Sequence, residues 1–187
     1  MKANNNFKIE QLSTPRLWLR EITENDADDI FNIFSNYNLI KYTDNEIHKT
    51  KNDSLTWIHT ITEKYYRKKL VYWGISLKGT ENIIGVAGIY HIDFKHDFAS
   101  SKVILGYDFH NKGYMTEAMK AIIDFIFNVI QLNRIEAQVF VDNKPALRQF
   151  EKLGFEMEGV LKQNFLIENF YKDSALLALL KCNYLEI

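Results

Sequence analysis

The sequence predicts an α/β fold: a mixed, partly antiparallel sheet of about seven strands covered by about four helices. Three observations carry this. Strand-like runs follow one another through residues 71–105, whereas the later strands alternate with helices. The apolar run Val103-Ile104-Leu105 leads through a glycine-bearing loop into a strongly amphipathic segment, Thr116 to Ile130. A length of 187 residues then fits one domain, 1–187, with a real core.

The elements follow in order. Residues 1–11 read as a flexible lead-in. Leu17 to Ile22 alternates as a half-buried strand. Thr23 with Asp26 resembles a capping box, after which Ala27, Ile30, Phe31 and Phe34 keep helical spacing. Asn36 to Lys51 has no clear period and reads as a loop, and a second helix starts near Asp53 or Ser54. Three strands come next: Val71 to Leu77, Ile83 to Asp93 with Gly85 and Gly88 marking a bulge or a close backbone approach, and about Ser101 to Leu105. The helix beyond the loop puts Ala118, Ile122, Phe125, Ile126 and Val129 on one face. Arg134 to Val141 reads as a buried strand, and Pro145 suits the first turn of a short helix that ends at Gly154. Phe155 to Leu161 and Asp173 to Leu180 close the chain.

Composition excludes several classes. The net charge of −1 with interspersed lysines and acids gives no nucleic-acid surface. No apolar run reaches the roughly 18 residues of a membrane span, and the polar N-terminus lacks a signal-peptide core. The single cysteine, Cys182, forms no internal disulfide and fits a reducing, cytoplasmic setting; its apolar surroundings suggest a buried, inert thiol. No cluster with metal-ligand spacing stands out, so no metal is expected.

The loop Phe109 to Ala118 is the chemically informative segment. The first N–H groups of a helix have no internal partner and carry the positive end of the helix dipole. A bend just before such a helix, with Gly113 allowing close approach, aims those donors at a phosphate. The loop alone also fits a plain strand-to-helix connection.

The wider set of motifs resembles the GNAT superfamily of N-acetyltransferases, in its ribosomal-protein (RimJ/RimL-like) branch. Thr14-Pro15-Arg16-Leu17-Trp18-Leu19-Arg20 is similar to that branch's opening, and Ile84-Gly85-Val86-Ala87-Gly88 to its central strand. Asn111-Lys112-Gly113-Tyr114-Met115-Thr116-Glu117-Ala118 is similar to its loop and helix start. Leu132 to Ala137, Asn143, Glu151 to Phe155 and Glu158-Gly159 complete an ordered set over residues 12–182. The resemblance implies a mostly antiparallel sheet splayed between its fourth and fifth strands, with acetyl-CoA as donor and a primary amine as acceptor. That amine is an N-terminal α-amine of a protein or a small-molecule amine. The pantetheine would lie along Ile104 and Leu105, and the pyrophosphate on His110, Asn111, Lys112, Gly113, Tyr114, Met115 and Thr116. Asn143 and Phe150 would stand near the thiol end. For Asn143 a capping role before Pro145 stays open. A homodimer is compatible with the resemblance.

The chain departs from the family where proton transfer is concerned. Relatives often carry a glutamate on the strand before the loop; here Ser100 or Ile104 replaces it, depending on a gap. Ala146 stands for a frequent serine and Phe150 for a tyrosine. Transfer remains credible for an α-amine, whose pKa of about 7.7–8.0 leaves roughly a tenth or more neutral at pH 7, against under about 0.1% for lysine. The expected chemistry is direct transfer with no acyl-enzyme. Candidate bases are His91 and Glu46, each of which also reads as an ordinary surface residue. The alternative function is a catalytically silent acetyl-CoA or CoA sensor of the same fold.

Overall fold

A computed structural model describes residues 3–184. Eight strands form one sheet in the order β1-β2-β3-β4-β5-β6-β8-β7. They are β1 (Leu12–Ser13), β2 (Leu17–Arg20), β3 (Leu70–Leu77), β4 (Ile83–Asp93), β5 (Phe98–Leu105), β6 (Arg134–Phe140), β7 (Glu156–Ile167) and β8 (Phe170–Leu180). All pairs are antiparallel except β5 with β6. The helices are α1 (Ala27–Phe34), α2 (Tyr37–Ile40), α3 (Lys51–Tyr66), α4 (Tyr114–Phe125), α5 (Lys144–Lys152) and α6 (Lys181–Tyr184). A π-helical turn, Ile126–Ile130, extends α4.

Side-chain alternation along the strands builds two cores. On one face Ala118, Met119, Ile122 and Ile123 of α4 pack with Trp73, Ile89, Ile135 and Leu177. On the other, Ile30 and Phe34 of α1 and Ile58 and Ile61 of α3 pack with Val86 and Ile104. The close approaches expected at two glycines are present. A Cβ on Gly88 would lie 2.0 Å from the Val71 carbonyl oxygen, and one on Gly85 would lie 2.7 Å from that of Ile104.

The sheet and its helix count exceed the expected seven strands and four helices. The extra pieces, β1, α2 and α6, are two to four residues long, too short to leave a period in the sequence. The lead-in is also more tightly held than its polarity suggests. Phe7 is buried, Trp73 Nε1 donates to the Glu10 carbonyl (2.8 Å), and Lys68 Nζ donates to the Phe7 carbonyl (2.6 Å). One aromatic side chain and a few main-chain contacts suffice to fix it. Cys182 is exposed, not buried, because the chain turns into α6 after β8 instead of continuing as strand.

Candidate active site

The parallel pair β5–β6 zips for only three residue pairs, Phe98 with Arg134, Ala99 with Ile135 and Ser100 with Glu136. Ser101 Oγ donates to the Glu136 carbonyl (3.0 Å), and beyond it the strands part. Their outer edges stay fully paired, β5 with β4 and β6 with β8. The inner edges of Lys102–Leu105 and 137–140 therefore hold main-chain donors and acceptors without a strand partner. The side chains of Ile104 and Leu105 are buried in opposite cores, so these two residues offer backbone to the gap.

At the wide end of the gap lies the loop. A 3₁₀ turn, Tyr107–Phe109, follows β5, and His110 Nε2 donates back to the Leu105 carbonyl (2.8 Å), fixing the strand end. Asn111 (φ 59°) and Gly113 (φ 77°) are left-handed, and Gly113 is the N-cap of α4. Left-handed residues alternating with ordinary ones curl successive N–H groups into an anion-binding concavity. Glu117 is the first to donate back into the loop, to Gly113 (3.1 Å), which leaves the N–H groups of residues 114–116 free. Arg16 braces this loop from behind. Its Nη1 donates to the Lys112 carbonyl (2.9 Å), its Nε to Glu117 Oε2 (2.7 Å), and its guanidinium lies 4.5 Å from the Tyr114 ring centroid. In a trans peptide C=O and N–H point opposite ways, so pinning the Lys112 carbonyl turns the Gly113 N–H outward to the anion side. Glu117 also accepts from Thr14 Oγ1 (2.6 Å) and the Arg16 N–H (2.8 Å). Burial would raise its pKa, but these donors outweigh it and hold the carboxyl below its ordinary value. Free donors, a helix N-terminus and a bare Gly113 suit a diphosphate, and the unzipped edges suit the amides of a pantetheine.

Residues 16–156 match the family described as acetyltransferase (GNAT) domain. The chain belongs to the GNAT acetyltransferase family. It is 34% identical over 152 residues to an N-acetyltransferase of Bacillus subtilis, YoaA, covering 81% of this chain and 86% of that one. Among solved structures it resembles spermidine N-acetyltransferase from Vibrio cholerae in complex with CoA and spermine (TM-score 0.81, 25% identity, 90% of this chain and 98% of that one). The ribosomal-protein-S5-alanine acetyltransferase from Vibrio fischeri shares the fold (TM-score 0.83, 22% identity, 94% of this chain and 99% of that one). As a GNAT enzyme the chain is an acetyl-CoA-dependent acyltransferase, an N-acetyltransferase with the splayed sheet that its sequence implied.

Within this GNAT frame the residues singled out from sequence divide clearly. The 110–116 loop, Ile104 and Leu105 come together around the gap. The Thr116 hydroxyl accepts from Gln149 Nε2 (2.7 Å), tying α4 to α5, and Lys112 is exposed. Asn143 is the N-cap of α5, its Oδ1 accepting from the Ala146 N–H (3.3 Å). Phe150 is buried and packs edge-to-face on Phe155, which makes it part of the core. His91 is exposed and left-handed (φ 49°) at the irregular end of β4, and Glu46 is exposed in the loop before α3. The His91 ring packs on that of Tyr90 (4.7 Å between centroids), at the border of the group at the narrow end of the gap, and Glu46 lies two residues beyond Asp44. Among the described residues no set of His, Cys, Asp or Glu could hold a metal ion, and no helix is long and apolar enough to cross a membrane.

That narrow end brings together residues that the sequence reading did not group. Ser100, Lys102 and Ile104 alternate onto the α1–α3 face of β5, beside Tyr90 of β4 and Tyr72 of β3. Burial raises the pKa of both phenols, which therefore stay protonated at neutral pH; the Tyr90 hydroxyl lies among Ser100, Asp44 and Glu136. Lys102 Nζ donates to Asp44 Oδ1 and sits 5.4 Å from the Tyr90 ring centroid. Trp57 stacks on Tyr72 (6.1 Å, 10°) and Phe34 tilts against Trp57 (4.8 Å). Behind them His48 is buried, stacked on Phe34 (4.8 Å) with Nδ1 2.9 Å from Ser54 Oγ. The period-two alternation of β4 and β5 is a signal for this cluster in the sequence, since it places Tyr90, Ser100 and Lys102 on a common face.

Proposed function

We propose that the protein acetylates a primary amine by direct transfer from acetyl-CoA, with the diphosphate on the 110–116 loop and the pantetheine in the β5–β6 gap. The observation that carries this reading is the coincidence of three features on one line: free helix N–H groups, unzipped strand edges and a polar cluster at the apex. From loop to apex, Leu105 to Ser101 spans about 13 Å of strand, which suits an extended pantetheine arm. Acetyl-CoA would supply the activated acyl group. The acceptor, bound on the α1–α3 face, must reach the apex as a neutral amine. Its nitrogen bonds to the acyl carbon, the C–S bond breaks, and the sulfur takes a proton that Tyr90 donates; Tyr90 regains one from the amine product through solvent. Tyr90 thus takes the proton-donating part that the absent serine and tyrosine hydroxyls leave open, and the thiolate, with a thiol pKa near about 8.5, is a tolerable leaving group even unaided. Relatives described as spermidine and as ribosomal-protein acetyltransferases make both a polyamine and a protein α-amine reasonable classes of acceptor.

The test is calorimetric titration with acetyl-CoA followed by thiol release with a panel of amines. Micromolar binding, turnover, and a Tyr90→Phe variant that keeps affinity but loses about tenfold or more in kcat are expected. Binding without turnover by any amine leaves a CoA sensor. No binding by the folded protein removes the reading altogether.

A further inference from the structure

We propose that the Lys102–Asp44 pair selects the acceptor, admitting monoamines and rejecting polyamines; this rests on the acetyl-transfer reading above. Lys102 is the first β5 residue past the last contact that holds the gap closed, so its side chain stands at the apex, on the side the acceptor must enter. The side chain is only 21% exposed, and Nζ is held between Asp44 Oδ1, Asn45 Oδ1 (3.4 Å) and the Tyr90 ring. A polyamine must place its reacting nitrogen at the apex and its remaining ammonium groups on nearby carboxylates. Both inner carboxylates are already engaged. Asp44 is neutralised by Lys102, and Glu136 accepts from Arg134 Nε (2.7 Å), whose Nη1 also binds Glu158 (2.7 Å). Glu46 and Glu168, which have no ion-pair partner among the described residues, belong to the exposed loop before α3 and to the β7–β8 turn.

A polyamine brings its other charges to an apex whose own carboxylates, Asp44 and Glu136, are already paired, and an ammonium left there without an anion counts against that class of substrate. The tyrosines and Trp57 beside the pair provide an uncharged wall for the rest of the acceptor. The structure thus assigns as substrate an amine on an uncharged body, such as the α-amine of a peptide without lysine or arginine near its N-terminus.

The experiment compares thiol release from acetyl-CoA with a lysine- and arginine-free tetrapeptide and with spermidine, for the parent protein, Lys102→Met, and Lys102→Met combined with Asp44→Asn. The parent should prefer the peptide by about tenfold or more in kcat/KM, a difference of about 1.4 kcal/mol. Lys102→Met frees Asp44 and should shift the preference toward spermidine by a similar factor, mainly through a lower KM; removing Asp44 as well should abolish that gain. Acetyl-CoA affinity, measured by calorimetry, should stay near the parent value in both variants and certifies an intact fold. Equal use of spermidine and peptide by the parent, or an unchanged preference in Lys102→Met, overturns the assignment while leaving acetyl transfer standing. Acetyl-CoA binding with no thiol release from any amine overturns both.

Discussion

Glu117 collects a hydroxyl, a main-chain N–H and a guanidinium N–H from a segment about a hundred residues away, and so joins the chain's opening to the anion loop. Hydrogen bonds to a charged group are worth about 1.5–3 kcal/mol each, less where solvent reaches them. Glu117→Ala should therefore lower unfolding free energy by about 2 kcal/mol in urea titration, and should weaken acetyl-CoA binding because the loop loses its brace. Because the Glu117 pKa is depressed on folding, its contribution is present above the ordinary carboxylate pKa and is lost as pH falls through the lower folded value. His48 acts in a different window. Burial holds its pKa below the ordinary 6.5, so as pH drops below that value the unfolded chain takes up the proton first and stability falls. The urea midpoint should drop between about pH 7 and pH 5.5, and His48→Asn should flatten that slope. Cys182, exposed on α6, should react quantitatively with a maleimide without loss of fold.

At the scale of elements, Arg20 at the end of β2 grips Asp26 with both terminal nitrogens (2.9 and 2.7 Å), while the Thr23 N–H donates to the same carboxylate (2.7 Å). Burial pushes the Asp26 pKa up, and Arg20 with Thr23 more than offsets it. Arg20→Ala strands a buried charge at the start of α1 and should cost about 3 kcal/mol by chemical denaturation; Arg20→Ala with Asp26→Asn should recover part of it. The capping pattern Thr23–Asp26 was readable because both residues lie within one turn. So were α4, from its 3.6 period, and α5, from Pro145 and Gly154, since each signal is local. The β7–β8 hairpin was legible only in part: Phe155 to Leu161 and Asp173 to Leu180 were expected, but the strands run on to Ile167 and begin at Phe170. Their two-residue turn, Glu168-Asn169, has both φ angles positive, and β7 is largely exposed, so neither glycine nor an apolar stripe marked it.

Across the whole molecule, the anion loop was legible because strand, glycine and helix are contiguous, whereas the apex was not. Tyr72, Tyr90, Lys102 and Asp44 come from four separate segments, and only the strand registers bring them together. Gly88 shows how tightly those registers are set: Gly88→Ala would drive its methyl into the Val71 carbonyl and the Tyr72 ring. Such overpacking should cost at least about 2 kcal/mol, read as a fall in Tm, and should lower turnover more than acetyl-CoA affinity.

The brevity of the β5–β6 zipper has a mechanical consequence. The sheet is nearly two sheets, one of five strands and one of three, touching over three residue pairs and spanned by α4 and its loop. A molecule threaded between them acts as a rivet. Fragments severed in the turn before β6 should reassemble poorly alone and far better when acetyl-CoA is present, so that the coenzyme's concentration would govern whether the two pieces hold together as one body.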